Sequence, residues 1–233
     1  MNANQDREKE TTMTKRVQSL LGTSVMAALL VTGCSQSMSP SPGMASPAAA
    51  PSATPAAALR TTLNALFAEH VYLAAAATGA ALGGREPEFK AAAGALDANS
   101  VAIAQAVGSV YGKDAEAAFL PLWRRHIGFV VDYTVGAAGG DRAKQDKAVG
   151  DLVAYTQDFG AFLSSANPNL PKSVVADLVK HHVVTLKEVI DAQAAKDPAR
   201  AYSAVRTAAG HMSQIADPLA EAIVKQFPDR YRG

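Results

Sequence analysis

Histidine is the residue type in this chain whose spacing points most clearly to chemistry. His70, His126 and His182 follow one another at intervals of 56 residues, in a chain that has only five histidines. Each lies on a stripe of apolar residues spaced alternately by three and four positions, which is typical of one face of an α-helix. Imidazole is the commonest metal ligand among side chains. Three related inward-facing histidines therefore predict either a binding site or a polar layer in the core.

A second polar position follows each of these histidines after 29 residues, and it is occupied by Asn99, Tyr155 and His211. The midpoint of each pair falls in a segment containing glycine, aspartate or proline, which predicts a turn. Two residues at equal distances from a turn lie level with each other in a helical hairpin. If three such hairpins pack side by side in the same sense, all six side chains meet in one layer.

This layer has two interpretations. In the first, a zinc or copper ion, or a small ligand, is bound by the imidazoles. The ligands would be His70, His126, His182 and His211. Further polar side chains would complete or support the site, and these are Asn99, Tyr155, Asp158 and Glu69. In the second, the polar groups bond to one another or to the backbone and only fix the packing of the helices.

Two other observations limit which metal the site could bind and which histidines could take part. No carboxylate lies on the histidine stripe itself, which argues against a di-iron centre built from inward glutamates. His181 directly precedes His182, so its side chain points about 100° away around the helix, and we predict a flank or surface position for it.

The offset of 56 residues also organises the rest of the chain. It aligns two amphipathic helices in each of three successive units. Residues typical of turns occur in the middle of each unit, at 83–87, 139–141 and 196–198. They also occur between successive units, at 111–114 and 167–171. This pattern predicts an all-α fold, an antiparallel six-helix bundle built from three repeated hairpins over residues 58–233. Pro121 and Pro218 fall inside predicted helices and are expected to kink or shorten them.

Composition and missing motifs argue against several functions. The chain of 233 residues has a net charge of +1 and 18% charged residues, which argues against a nucleic-acid-binding protein. Its single cysteine excludes a metal site with several thiolates. We find no glycine-rich phosphate loop after a strand, no Gly-x-Ser-x-Gly and no His-Glu-x-x-His. We therefore predict that the protein is not an enzyme.

The N-terminal part carries an export signal. Lys15 and Arg16 precede an apolar stretch at 20–31, which ends in Leu-Val-Thr-Gly-Cys at 30–34 and resembles the lipobox of bacterial lipoproteins. We predict a signal peptide over 1–33, with translation starting at Met13, and lipidation of Cys34. The Pro/Ala/Ser-rich segment 34–57 would then tether the folded domain to a membrane on the extracytoplasmic side of the cell envelope. The sequence identifies no protein partner.

Short motifs in the helical part resemble those of an uncharacterised bacterial family of all-helical proteins. They are Glu69-His70-Val71, Arg125-His126-Ile127, the segment 162–168 and the Lys-Gln-Phe-Pro of 225–228. The resemblance covers 59–231 and implies an all-helical fold, but the family has no known activity to transfer. Some relatives carry the label acetylglutamate kinase. This chain lacks the strands and phosphate loops that such a kinase needs, so we do not adopt that label.

Overall fold

The computed structural model describes residues 54–232. All regular secondary structure in this range is helical, with six α-helices, one short 3₁₀ turn and no strand, so the prediction of an all-α protein is confirmed. The predicted signal peptide, Cys34 and most of the predicted tether lie outside the described residues. The first helix begins at Pro55, three residues before the predicted domain boundary, and the Thr54 hydroxyl caps it by accepting from the Ala57 amide.

The helices are long and the connections between them are short. Their bounds are α1 Pro55–Leu82, α2 Glu86–Tyr111, α3 Lys113–Gly139, α4 Arg142–Ala166, α5 Lys172–Ala194 and α6 Pro198–Gln226, followed by the 3₁₀ turn Pro228–Arg230. Every break between them overlaps one of the predicted turn segments. Neither Pro121 in α3 nor Pro218 in α6 ends its helix, so the expected shortening is wrong.

Two of the connections show how the sequence ends one helix and starts the next. Asp141 and Asp197 each accept a hydrogen bond from the backbone amide three residues later, which satisfies a free N–H group at the start of α4 and α6. Just before them, Gly140 and Lys196 adopt left-handed backbone conformations, with φ of 66° and 56°. Glycine does so freely, whereas lysine is strained there.

Packing between helices defines an inner and an outer set. Each helix packs against its neighbours in the chain, and α1 also packs against α6. In addition, α1, α3 and α5 contact one another. We call these three the inner helices and α2, α4 and α6 the outer helices. Their shared faces bury the aromatic side chains Phe67, Phe119 and Trp123. The repeated histidines lie on the same faces.

One helix in residues 54–232, α1, is long and apolar enough to cross a membrane by length and composition. The core helix of a soluble protein meets the same criteria, and α1 buries Phe67, His70 and Val71 in the protein core.

Candidate functional site

The three repeated histidines meet between the inner helices. His70 lies on α1, His126 on α3 and His182 on α5, and their exposed fractions are 1%, 4% and 6%. The Nε2 atoms of His70 and His126 are 3.4 Å apart. The ring centre of His70 lies 5.3 Å from that of His126 and 5.8 Å from that of His182. We call these three side chains the inner histidines.

Most nitrogens of the inner histidines have no hydrogen-bond partner among the described residues. This holds for Nδ1 of His70 and for both nitrogens of His182, all of which are buried. Nδ1 of His126 also lacks an acceptor at hydrogen-bonding geometry. The nearby Trp123 backbone raises the pKa of His126, but it is the smallest of the three effects on that pKa. Buried polar atoms in native proteins are almost always paired with protein, water or an ion. A cluster of unpaired ones is therefore unusual.

Burial keeps the inner histidines neutral at physiological pH. Removal from water is the main cause that lowers the pKa of His126 to about 3 and that of His182 to about 4. The pKa of His70 also lies well below 6.5, first because of burial and then because protonation of His126 and His182 would repel its charge. A neutral imidazole has one bare nitrogen, which is the form that binds a metal ion.

Aromatic side chains close the site on one side. The Trp123 ring stands edge-on to His70 and His126, with ring centres 5.0 and 4.7 Å apart, and its buried indole N–H has no acceptor among the described residues. The Tyr155 ring lies 5.1 Å from that of His126, and its buried hydroxyl also lacks a partner there. Burial raises the pKa of Tyr155, so the phenol keeps its proton.

A small cavity of about 20 Å³ adjoins these groups. Its wall includes His126, His182, Tyr155 and Trp123. A water molecule needs roughly 10–15 Å³ of such space. The cavity therefore has room for one occupant of atomic size, such as a water molecule or a metal ion.

Two of the six predicted layer residues form hydrogen bonds with partners other than the inner histidines. The Asn99 amide donates to the Leu66 carbonyl at 3.0 Å and to Glu69 at 2.7 Å. The Nε2 atom of His211 lies 3.2 Å from the Leu178 carbonyl, to which it donates. Asn99 and His211 thus have partners of their own on the neighbouring helix. His211 nevertheless lies near His182, since it is, after burial, the second cause that lowers the pKa of His182. A level position along the hairpin does not fix the direction in which the side chain points.

The two predicted carboxylate partners also have other roles. Asp158 forms an exposed ion pair with Arg125, and Glu69 accepts from Asn99. Neither forms a hydrogen bond with a histidine. His181 is exposed, as predicted, and its ring centre lies 4.2 Å from that of His211.

Sequence reasoning missed one member of the site. The spacing of the histidines does not point to Trp123, yet its indole packs on two of the inner histidines. Its position three residues before His126 on the same helix face was the available signal.

Within residues 54–232, no group of three or more His, Cys, Asp or Glu side chains could hold a metal ion in the arrangement that the structure shows. No protein-family model, curated protein or solved structure matches the chain.

Proposed function

We propose that this protein is a lipoprotein of the cell envelope that binds one zinc or copper ion through His70, His126 and His182. In this proposal, Cys34 carries the lipid and 34–57 is the tether. The folded domain is an antiparallel six-helix bundle of three repeated hairpins, which brings equivalent histidines to its axis. Its role is binding and not catalysis. The observation that carries the proposal is the approach of imidazole nitrogens that have few other partners.

Positions 56 residues apart support the repeat. Gly84, Gly140 and Lys196 are equivalent in this register, and all three have left-handed backbone conformations. The bonds from Asn99 to Leu66 and from His211 to Leu178 are equivalent as well, since each reaches back 33 residues. Three copies of one hairpin would place His70, His126 and His182 at the same height.

The nitrogen geometry supports a metal ion. Zinc binds histidine nitrogens at about 2.0–2.1 Å, so two nitrogens on one tetrahedral zinc lie roughly 3.3–3.4 Å apart. The Nε2 atoms of His70 and His126 are separated by 3.4 Å. His182 lies beside them with both nitrogens unpaired, and a rotation of its ring would supply a third ligand. Water or Tyr155 would complete the shell. His211 is not a metal ligand in this proposal, because its Nε2 donates to the Leu178 carbonyl.

The second candidate is a structural or protein-interaction lipoprotein in which the histidines only specify packing. One observation favours it: the contact between His70 and His126 also suits a hydrogen bond from a protonated to a bare nitrogen. The two candidates differ in whether a metal stabilises the protein.

The test uses the mature chain, 34–233, with Cys34→Ser to remove the lipid. This chain keeps all six α-helices of residues 54–232. We expect one zinc or copper ion per chain by mass spectrometry and a higher melting temperature on adding the metal. His126→Phe should weaken metal binding by more than about 100-fold, since losing even an indirect partner costs 10–100-fold.

His181→Gln is the matched control, because His181 is exposed and should not affect metal binding. Circular dichroism shows whether each variant is folded. A folded, metal-free protein whose melting does not change in added zinc or copper would support the structural candidate instead.

Lipidation is tested separately in the cell. Cys34→Ala should move the protein from the membrane fraction to the soluble fraction and abolish incorporation of labelled fatty acid. Retention of Cys34→Ala in membranes would contradict the proposed anchor and leave the metal result unaffected.

A further inference from the structure

A larger cavity opens beside the inner histidines, between α3, α4 and α5. Its volume is about 200 Å³, and both His126 and His182 line it. We propose that this cavity binds a small, neutral, mostly apolar molecule with one hydrogen-bonding group, such as a phenol, whose polar end meets the histidines. This proposal rests on the proposed function in one respect. Both require inner histidines whose nitrogens have no hydrogen-bond partner within the protein.

The walls determine the apolar part of the molecule. They are formed mainly by aliphatic side chains, which include Val130, Val149, Leu152, Val183, Leu186 and Ile190. The ring of Tyr133 adds an aromatic face, while its hydroxyl donates to Asp191. Lys187 is also paired with Asp191. The walls therefore offer contact area and few free polar groups, which disfavours a charged ligand.

The histidines determine the polar end. Both nitrogens of His182 are buried without a partner in residues 54–232, and they present almost no surface to the cavity. A rotation of the His182 ring would bring one of them to the cavity wall. A neutral imidazole offers one donor and one acceptor, so it can pair with a hydroxyl group in either direction. An anion would gain no charge attraction from a neutral ring, whereas a hydroxyl group would pair an otherwise unpaired nitrogen.

The volume sets the size of the molecule. An apolar protein cavity of about 150 Å³ binds benzene, which has six non-hydrogen atoms. Scaled to about 200 Å³, this gives roughly eight. One substituted aromatic ring is therefore the size that the cavity accommodates.

The rim permits entry from solvent without unfolding of the helices. Val153 and Val184 line the cavity and are 41% and 52% exposed, and the exposed Lys180 lies beside them. A ligand can therefore enter past these residues while the rest of the wall stays packed.

The experiment compares two probes that differ in one group. They are p-cresol, which has a hydroxyl group, and p-xylene, which has a methyl group in its place. Both are titrated by NMR into the Cys34→Ser mature chain at pH 7.5, kept metal-free with a chelator. We expect p-cresol to bind with a Kd of about 0.1–1 mM. It should shift the imidazole signals of His182 and show NOEs to the valine methyl groups of the wall. p-Xylene should bind about tenfold more weakly, because it leaves the nitrogens unpaired.

Two matched variants test the location. Val184→Trp places a large ring at the rim and should weaken p-cresol binding about tenfold or more. Val135→Trp is the control, because Val135 has nearly the same exposure, 51% against 52%, and does not line the cavity. The NOEs are measured on the unsubstituted mature chain, so the test holds even if Val184→Trp does not fold.

Absence of p-cresol binding up to millimolar concentration would overturn the proposal, as would NOEs that come only from residues outside the cavity. Equal or tighter binding of p-xylene would overturn the role of the histidines as the polar end. Because the chain is metal-free, p-cresol binding without any metal affinity would refute the proposed function alone. Metal affinity without p-cresol binding would refute the cavity proposal alone.

Discussion

The inner and the outer helices both bury polar side chains, but these side chains differ in the hydrogen bonds that they form. On the outer helices, Asn99 and His211 each donate to a backbone carbonyl 33 residues earlier, on the preceding inner helix. On the inner helices, His70, His126 and His182 face one another, and most of their nitrogens lack a partner among the described residues. Asn99 and His211 therefore tie one helix to the next through one group each, although Asn99 Oδ1 and His211 Nδ1 are themselves buried without a partner in residues 54–232. The inner groups have no such bond to the backbone of a neighbouring helix.

This difference has a cost in stability. A hydrogen bond contributes about 1 kcal/mol, and a buried polar group without a partner costs roughly 1–3 kcal/mol. The backbone bonds of Asn99 and His211 thus offset part of the cost of their unpaired atoms, whereas the inner histidines destabilise the fold unless an ion, water or ligand pairs with them. Buried groups that lower the stability of an otherwise well-packed core are typical of a functional site.

The largest effect we expect is loss of stability in mild acid. The folded-state pKa values of His126 and His182, about 3 and 4, lie below the ordinary value of 6.5, so the unfolded chain binds more protons below pH 6.5. Stability is then fully present above pH 6.5 and falls by about 1.4 kcal/mol per pH unit for each histidine. With His70 included, the free energy of unfolding should fall by up to about 5 kcal/mol between pH 6.5 and 5 in metal-free protein.

Urea unfolding at several pH values from 7.5 to 5 measures this. The range lies above the ordinary pKa values of Asp and Glu, so carboxylates contribute little. His182→Phe should reduce the slope by about a third, and the exposed His181→Gln should not change it. A flat profile would mean that the inner histidines are solvated, which would remove the contrast with the outer residues.

The next effect is a gain in stability from His182→Phe. Phenylalanine fills a similar volume and removes two buried nitrogens that lack partners. We expect the free energy of unfolding of metal-free protein at pH 7.5 to rise by about 1–2 kcal/mol, since apolar replacement of an unpaired polar group is favourable. The same variant should lose metal binding. A fall in stability of more than about 1 kcal/mol would show that His182 has a stabilising partner.

The sequence predicted the helices and the inner set better than the outer set. Apolar stripes define which face of a helix is buried, and equal distance from a turn defines height, so His70, His126 and His182 were expected to meet. Neither argument gives the direction in which a buried side chain points. Asn99 and His211 are as buried as the inner histidines, at 3% and 5% exposed, yet they reach backbone carbonyls, which no periodicity in side chains reveals. The cavity beside His182 depends on how whole side chains pack, so it was not predicted.

A smaller effect is expected at the outer position. His211→Phe should lower the free energy of unfolding by less than about 1 kcal/mol, because the Leu178 carbonyl loses its side-chain donor while the unpaired Nδ1 of His211 is removed as well. Asn99→Leu should cost a similar amount, since Leu66 and Glu69 both lose a donor. Urea unfolding at pH 7.5 measures both variants beside His182→Phe. If all three changes had the same sign, the distinction between inner and outer residues would fail.

The smallest effect concerns Asp158, which lies one helical turn from Tyr155 but is paired at the surface. Its carboxylate pairs with Arg125, and both side chains are about half exposed. Exposed pairs contribute at most about 1 kcal/mol, so Asp158→Asn should change the free energy of unfolding by less than that and more weakly still at high salt. Metal affinity should change by less than about twofold, against the 10–100-fold typical of a group that orients a ligand. A change of tenfold or more, measured by metal titration, would place Asp158 in the site and extend the inner set beyond the three histidines.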